Sequence, residues 1–396
     1  MRIVHCEDFF HPDTGYQLNI LARYMQSKGH EVIILTSELE KMPAFLTDFF
    51  SLNNIQERDQ AYMNKTGVRI IRLPIIAHLS GRSIYYPGYF KKLDSLQPDV
   101  AYIHGLDTYM GIRCAWRVRK FKYPILFDCH MAEGASENTL SPVFKWFYRV
   151  FVAPAINKDS ITIIRTMNTD YVFKHYGINP ELAPYIGFGS NLSLFHPDAL
   201  ARRTIRTELG ISQSDFVVTY VGKLNESKGG LFLADAIKEK FHAAKDVTFL
   251  IVGNNTAVDV TYRQRVEEAF SISQNKIVRL PTQLYSEMNK FFQCADIVVF
   301  PKQCSLTFFD AQACALPALL DGSYDVNVQR VQHNNGMLFK SENIADLRKK
   351  IVMMANMPGE EMQTMRESAE RFIVENYNYD NIASRYLEII IKTIAK

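Results

Sequence analysis

Short apolar runs rich in β-branched residues alternate along this chain with longer stretches whose apolar positions recur every three or four residues. In the first half, the runs at 2–6, 31–36, 68–74, 100–104, 125–128 and 161–164 predict strands. In the second half, those at 216–221, 247–252, 276–280, 296–300 and 318–320 do the same. Between the first two runs, Leu18, Leu21, Ala22 and Met25 mark a helix over 15–28, and Gly29 stands where a left-handed cap is expected. Strands alternating with helices imply parallel sheets covered on both faces. Residues 187–198, GFGSNLSLFHPD, break the pattern and place a domain junction there. The chain's 396 residues also exceed what one core usually covers. The expected architecture is α/β: two Rossmann-like, doubly wound parallel-sheet domains, at 1–188 and 189–375. A C-terminal helix at 376–396 is expected to pack back toward the first domain. Two such domains facing each other would enclose a cleft beyond the carboxyl ends of their strands, where helix N-termini meet anions.

Composition narrows the partners. Basic residues number 45 and acidic ones 42, which argues against a dedicated nucleic-acid binder. Six cysteines lie scattered with no CxxC pair and no metal-ligand spacing, as expected of reduced thiols in the cytoplasm. The start is too soon interrupted by Glu7 and Asp8 for a signal peptide, and no apolar run is long enough to span a bilayer. Contact with the inner face of a membrane is a separate matter. Arg113, Arg117, Arg119, Lys120 and Lys122 form a stretch without acids, and residues 144–151, FKWFYRVF, mix aromatics with cations as interfacial helices do. The loop at 42–50, MPAFLTDFF, offers apolar anchors. Residues 113–151 are therefore read as a peripheral membrane contact, beside the plainer reading of a helix that packs its apolar face into the domain core.

Two clusters carry chemistry. After the run at 216–221 comes GKLNESKGG over 222–230, a glycine-rich strand-to-helix turn with two lysines. Glycines admit close backbone approach, a helix end offers free N–H groups, and ammonium groups neutralise charge, which together suit a diphosphate. The GxxxxGK[ST] spacing of a P-loop is absent, and the same composition also fits a solvated surface turn. The second cluster comes after the run at 296–300: PKQCSLTFFDAQACALPALL over 301–320.

That second cluster resembles the donor-site motif of GT4-type retaining glycosyltransferases, E-G-F-G-x-x-x-x-E-A-M-A-C-G-x-P-V-V. Asp310-Ala311-Gln312-Ala313-Cys314-Ala315-Leu316-Pro317 stands on its second half. Further fragments sit in family order along nearly the whole chain: His11-Pro12 with Gly15, Gly29-His30-Glu31-Val32, Pro98-Asp99-Val100 with His104, and His130. Phe195 with Pro197, Gly222-Lys223-Leu224, Lys228-Gly229, Val252-Gly253 and Asn335-Gly336 continue the order. The resemblance implies the GT-B fold and transfer of a sugar, with retention, from a nucleoside-diphosphate sugar to a saccharide or lipid-linked acceptor. Such reactions belong to cell-surface polysaccharide or glycolipid synthesis. It implies no cofactor beyond that co-substrate and no metal, and no Asp-x-Asp pair occurs in the chain.

Residue by residue, the resemblance places the basic diphosphate ligands on Lys223 and Lys228, beside Gly222. It places the ribose carboxylate on Asp310, and the amides that meet phosphates and sugar around Ser305, Leu306 and Thr307. Gly15 matches a glycine that lets the first loop approach the diphosphate. His130 matches a histidine beside the transferred sugar, whereas His104 is matched to no such role. The nucleobase is expected against backbone near Leu280 and Pro281. One departure stands out: the first glutamate of the motif is Lys302 here, and Gln303-Cys304-Ser305 replaces Gly-Phe-Gly. Two alternatives therefore stay open. A nucleotide-sugar epimerase of the same fold would form product without acceptor, and a catalytically weak nucleotide-binding partner subunit would bind without turnover.

Overall fold

The computed structural model describes residues 1–41, 53–79, 82–132 and 139–395, so the apolar loop at 42–50 lies outside the described residues. The chain divides into two compact units, residues 1–187 with 380–396, and residues 188–379.

In the first unit, six strands form one parallel sheet. They are β1 (Arg2–Glu7), β2 (Glu31–Ser37), β3 (Arg69–Leu73), β6 (Val100–Ile103), β7 (Ile125–Cys129) and β8 (Ile163–Arg165), in the order β3-β2-β1-β6-β7-β8. The middle strands are apolar on both faces because helices cover both. Ile3, Val4, Ile33, Ile34, Ala101, Tyr102, Leu126 and Phe127 are all buried. The antiparallel pair β4 (Ile75–Leu79) and β5 (Arg82–Tyr85) is an addition that the apolar pattern does not reveal. The helix Tyr379–Ile394 brings the chain back to this unit. Its Tyr386 is buried, donates to the Ile186 carbonyl at 3.2 Å and accepts from the Gln17 amide.

The second unit repeats the scheme with β9 (Phe216–Val221), β10 (Val247–Val252), β11 (Lys276–Leu280), β12 (Ile297–Phe300), β13 (Ala318–Asp321) and β14 (Gly336–Phe339), in the order β11-β10-β9-β12-β13-β14. Register decides which residues leave the sheet together. Val221 pairs with Val252, so Gly222 and Gly253 emerge side by side. A Cβ on Gly253, whose φ is +136°, would lie 2.1 Å from the Gly222 carbonyl oxygen, so only glycine fits there.

Candidate active site

In the second unit, β9 is buried throughout and delivers its turn at the carboxyl edge of the sheet. The turn is held from below: Gly222 donates to the Val252 carbonyl, Leu224 to that of Asn254, and the Tyr220 hydroxyl to that of Lys223. Glu226–Lys228 forms a 3-10 turn that ends in Gly229 at φ +71°. A Cβ there would also press on Pro301 and Lys302 at about 3 Å. The expectation of free amides at this helix start is corrected. The N–H groups of Lys228, Gly229 and Gly230 donate to carbonyls of Asn225 and Glu226, and that of Leu231 donates to the Tyr262 hydroxyl. This turn contributes side-chain charge instead. Lys228 is partly buried with no ion-pair partner among the described residues. Burial lowers its pKa; Cys304 opposes the shift and Arg330 adds to it.

Free amides occur one strand over. Ser305, Leu306 and Thr307 precede or open the short helix Thr307–Ala313, and none of their N–H groups donates to an acceptor among the described residues. Ser305 and Thr307 join through their hydroxyls at 2.6 Å. Lys302, in place of the motif's first glutamate, reaches only exposed Glu342 among the described residues, at 3.5 Å. Asp310 is buried, its Oδ1 accepting from Ser190 at 2.7 Å and from Tyr285 at 3.5 Å. Burial pushes its pKa up to about 7 despite those two hydrogen bonds. Leu280 is half-buried and its carbonyl is taken by the Gly253 amide at 2.9 Å. The Gln312 side-chain amide donates to the Asn335 backbone carbonyl and the Asn335 side-chain amide donates to Gln312 Oε1, so both are structural. Ala315 stands at φ +59° where the motif has glycine, a conformation that costs an alanine roughly 1–2 kcal/mol.

In the first unit, the parallel register lines up the ends of β1, β6, β7 and β8, and with them a polar chain. His5 Nδ1 lies 2.9 Å from His104 Nε2, His104 Nδ1 lies 2.6 Å from Asp128 Oδ2, and the Gly105 amide donates to Asp128 Oδ1 at 2.7 Å. His130 Nε2 lies 3.4 Å from the same Asp128 oxygen, and its Nδ1 meets the Thr166 hydroxyl at 2.8 Å. A carboxylate only accepts, so His104 donates from Nδ1 and, when neutral, accepts from His5. This leaves His5 Nε2 a bare lone pair, and it has no partner among the described residues. Burial and then the charge of His104 push the His5 pKa well down. Burial would raise the Asp128 pKa, but His130 and His104 hold it well below the carboxylate range. Burial would lower that of His130, yet the charge and hydrogen bond of Asp128, with Glu7 and Asp107, raise it. His104, matched to no role by the family pattern, is thus as firmly placed as His130. The signal for Asp128 was a carboxylate at a buried strand end, two residues before a histidine. Gly15 lies half-buried ahead of the helix Gln17–Ser27 and does not have a positive φ.

The segment 113–151 has aromatic residues on both faces. Phe144, Phe147 and Tyr148 pack on the core, while Trp116, Leu140, Val143, Trp146 and Phe151 are more than half exposed. Trp116 donates to the Phe151 carbonyl at 2.7 Å and meets Phe147 edge-on, and Trp146 meets Phe151 edge-on, which joins Trp116, Trp146 and Phe151 into one patch. The basic stretch is acid-free only along the sequence, since Arg119 forms a two-pronged pair with Asp159. Arg113 and Arg117 stack on Phe90. No described helix is long and apolar enough to cross a membrane.

Two family descriptions match the chain in tandem: "Glycosyl transferase 4-like domain" over residues 15–161 and "Glycosyl transferases group 1" over residues 215–356. Among curated relatives, D-inositol 3-phosphate glycosyltransferase of Segniliparus rotundus is 27% identical over 154 residues, 38% of this chain and 34% of that protein. The enzyme of that name from Rhodococcus jostii is 23% identical over 237 residues, 58% of this chain and 52% of its own length. The chain thus spans about a third to a half of the length of these relatives. Among solved structures, Anabaena HepE in complex with UDP superposes with a TM-score of 0.75 at 15% identity, covering 99% of this chain and 100% of that one. A glycosyltransferase from Rickettsia africae gives 0.73 at 14% identity, with coverage of 99% and 98%. Likeness at this identity establishes the fold, which is GT-B.

Proposed function

We propose that this chain, matched in tandem by two glycosyl transferase descriptions, is a GT4-type glycosyltransferase that transfers a sugar from a nucleoside-diphosphate sugar to a saccharide or lipid-linked acceptor, with retention of anomeric configuration. The carrying observation, among the described residues, is a partly buried Lys228 without an acidic partner, interacting with Cys304 at the head of three consecutive unused amides at 305–307. In such a transfer, negative charge builds on the departing diphosphate while the anomeric carbon becomes cation-like. Fixed cations and amides aimed where that charge appears lower the barrier without reorganising at the moment of reaction. Lys223 and Lys228 supply the cations in this reading. Ser305, Leu306 and Thr307 supply amides, Asp310 the ribose contact, and backbone near Leu280 the base contact. His130, held by Asp128 and Thr166, is assigned to the transferred sugar, and Gly15 to the first loop's approach. The Trp116–Phe151 patch with its neighbouring cations is assigned to a membrane surface, which suits a lipid-linked acceptor.

A thermal-shift panel of UDP, GDP, ADP and their sugars tests the donor assignment, because a ligand that binds only the folded state raises its melting temperature. Structures of HepE hold UDP and UDP-glucose, so uridine nucleotides come first. A shift with one base and its sugar, and then turnover only when acceptor is added, is the expected outcome. Turnover without acceptor would point to an epimerase, and binding without turnover across the panel to a non-catalytic subunit.

A further inference from the structure

Beneath the loop at 302–306 lies the helix Asp325–Arg330, and two of its side chains, three residues apart, hold that loop. Asn327 accepts from the Cys304 amide at 2.9 Å and donates to the carbonyls of Lys302 at 3.2 Å and Asp321 at 2.8 Å. Arg330 is buried, its guanidinium lying over the rings of Phe308 and Phe309. It donates to Cys304 Sγ at 2.8 Å and to the carbonyls of Cys304 at 3.4 Å and Ser305 at 3.3 Å. It has no carboxylate partner among the described residues, and the nearby Lys228 has none either.

Two features of this arrangement need an explanation. The first is geometric. A trans peptide points its N–H opposite to its C=O. The Cys304 carbonyl shares a peptide plane with the Ser305 amide, and the Ser305 carbonyl shares one with the Leu306 amide. By drawing both carbonyls toward itself, the Ser305 carbonyl together with the Phe308 amide at 3.2 Å, Arg330 turns those two amides away from its own helix, and both are among the three left unused within the described residues. The second is electrostatic. Buried charges are normally paired, and two neighbouring cations without an acid are costly. An anion on the far side of the loop would relieve both at once, since a cation behind a carbonyl also polarises the N–H of the same plane.

We infer that Arg330 is a positioning residue of the donor site: by gripping the Cys304 and Ser305 carbonyls, it presents the Ser305 and Leu306 amides to the donor's diphosphate and backs them with positive charge. The inference rests on the donor reading of the Gly222–Gly230 turn and adds a residue outside it. The chain departs from the family motif at 302–305, and the brace from Asn327 and Arg330 holds the loop that replaces it.

The test uses the full chain with inorganic pyrophosphate and UDP as probes, comparing wild type, Arg330→Met, Arg330→Lys and Lys228→Ala by calorimetry. Arg330→Met keeps the length and the packing on the rings but removes charge and grip. It is expected to weaken both probes at least tenfold. Arg330→Lys restores part of the loss, because an ammonium replaces the charge but not the planar group that lies over the rings of Phe308 and Phe309. With selectively 15N-labelled serine and leucine, the Ser305 and Leu306 amides should shift on pyrophosphate binding in wild type and much less in Arg330→Met. If Lys228→Ala loses affinity while both Arg330 variants keep it, Arg330 only packs the loop and the inference falls, leaving the donor reading intact. If wild type binds neither probe, the donor reading fails and takes the inference with it. Should Arg330→Met not fold, unchanged affinity in Arg330→Lys would overturn the inference on its own.

Discussion

A lysine drawn partly out of water beside an arginine, with neither paired to a carboxylate among the described residues, is held at a cost unless something anionic visits. Lys228 is in that position, and its lowered pKa comes from burial first. Lys228→Ala should therefore reduce kcat/KM by on the order of 2–4 kcal/mol, the effect of removing one preorganised donor to a developing anion. Steady-state kinetics with the cognate donor check this, and an unchanged kcat/KM removes the central assignment. Asp310 makes a pH prediction. Its pKa is raised to about 7 from 3.8, so between those values the folded chain keeps a proton that the unfolded chain has released. Stability at this site thus falls as pH rises through that window, and Asp310→Asn should flatten the slope. An ionised carboxylate accepts ribose hydroxyls more strongly than a protonated one. Nucleotide affinity should rise from pH 6 to pH 8 in wild type and stay level in Asp310→Asn. Calorimetry at the two pH values decides it, and a level wild type would return Asp310 to its bond with Ser190.

At the scale of elements, strands were legible because a strand buried on both faces can hardly be anything but apolar. Both sheets use the predicted runs. The pair β4 and β5 was not legible, since β4, IIAHL, continues the apolar run of β3 past Pro74 and is mostly exposed, so its residues carry no pattern of their own. The turn after β9 was found by its glycines and lysines. Which of its amides are free was not legible, because the Tyr262 hydroxyl that takes one of them arrives from another helix. The segment 113–151 was ambiguous for a related reason: aromatics that face the core and aromatics that face water look alike in one dimension. The exposed group around Trp116, Trp146 and Phe151 predicts adsorption to anionic vesicles that weakens with added salt. Trp146→Ser with Phe151→Ser should abolish the apolar part, and Arg117→Glu the electrostatic part. Co-sedimentation at low salt that ignores anionic lipid content would return the patch to ordinary surface.

For the whole molecule, turnover should persist in excess EDTA. The motive is in the chain itself: it contains no Asp-x-Asp pair, and fixed cations and amides are proposed where a bridging metal would otherwise act. Loss of activity with EDTA, restored by Mn²⁺ or Mg²⁺, would show that the leaving group is stabilised in another way. The sequence by itself determined the α/β class, the alternation of strand and helix, and the family order of the motifs. These depend on local periodicity and on residue types at short spacing, which one dimension preserves. The tertiary structure alone decided that Asp128 joins His104 to His130, that Asp310 is buried against Ser190, and that Arg330 lies beneath the 302–306 loop. Each pairing joins residues from 2 to 120 positions apart. The register of parallel strands and the direction of a peptide plane bring them together, and neither is written in composition or spacing.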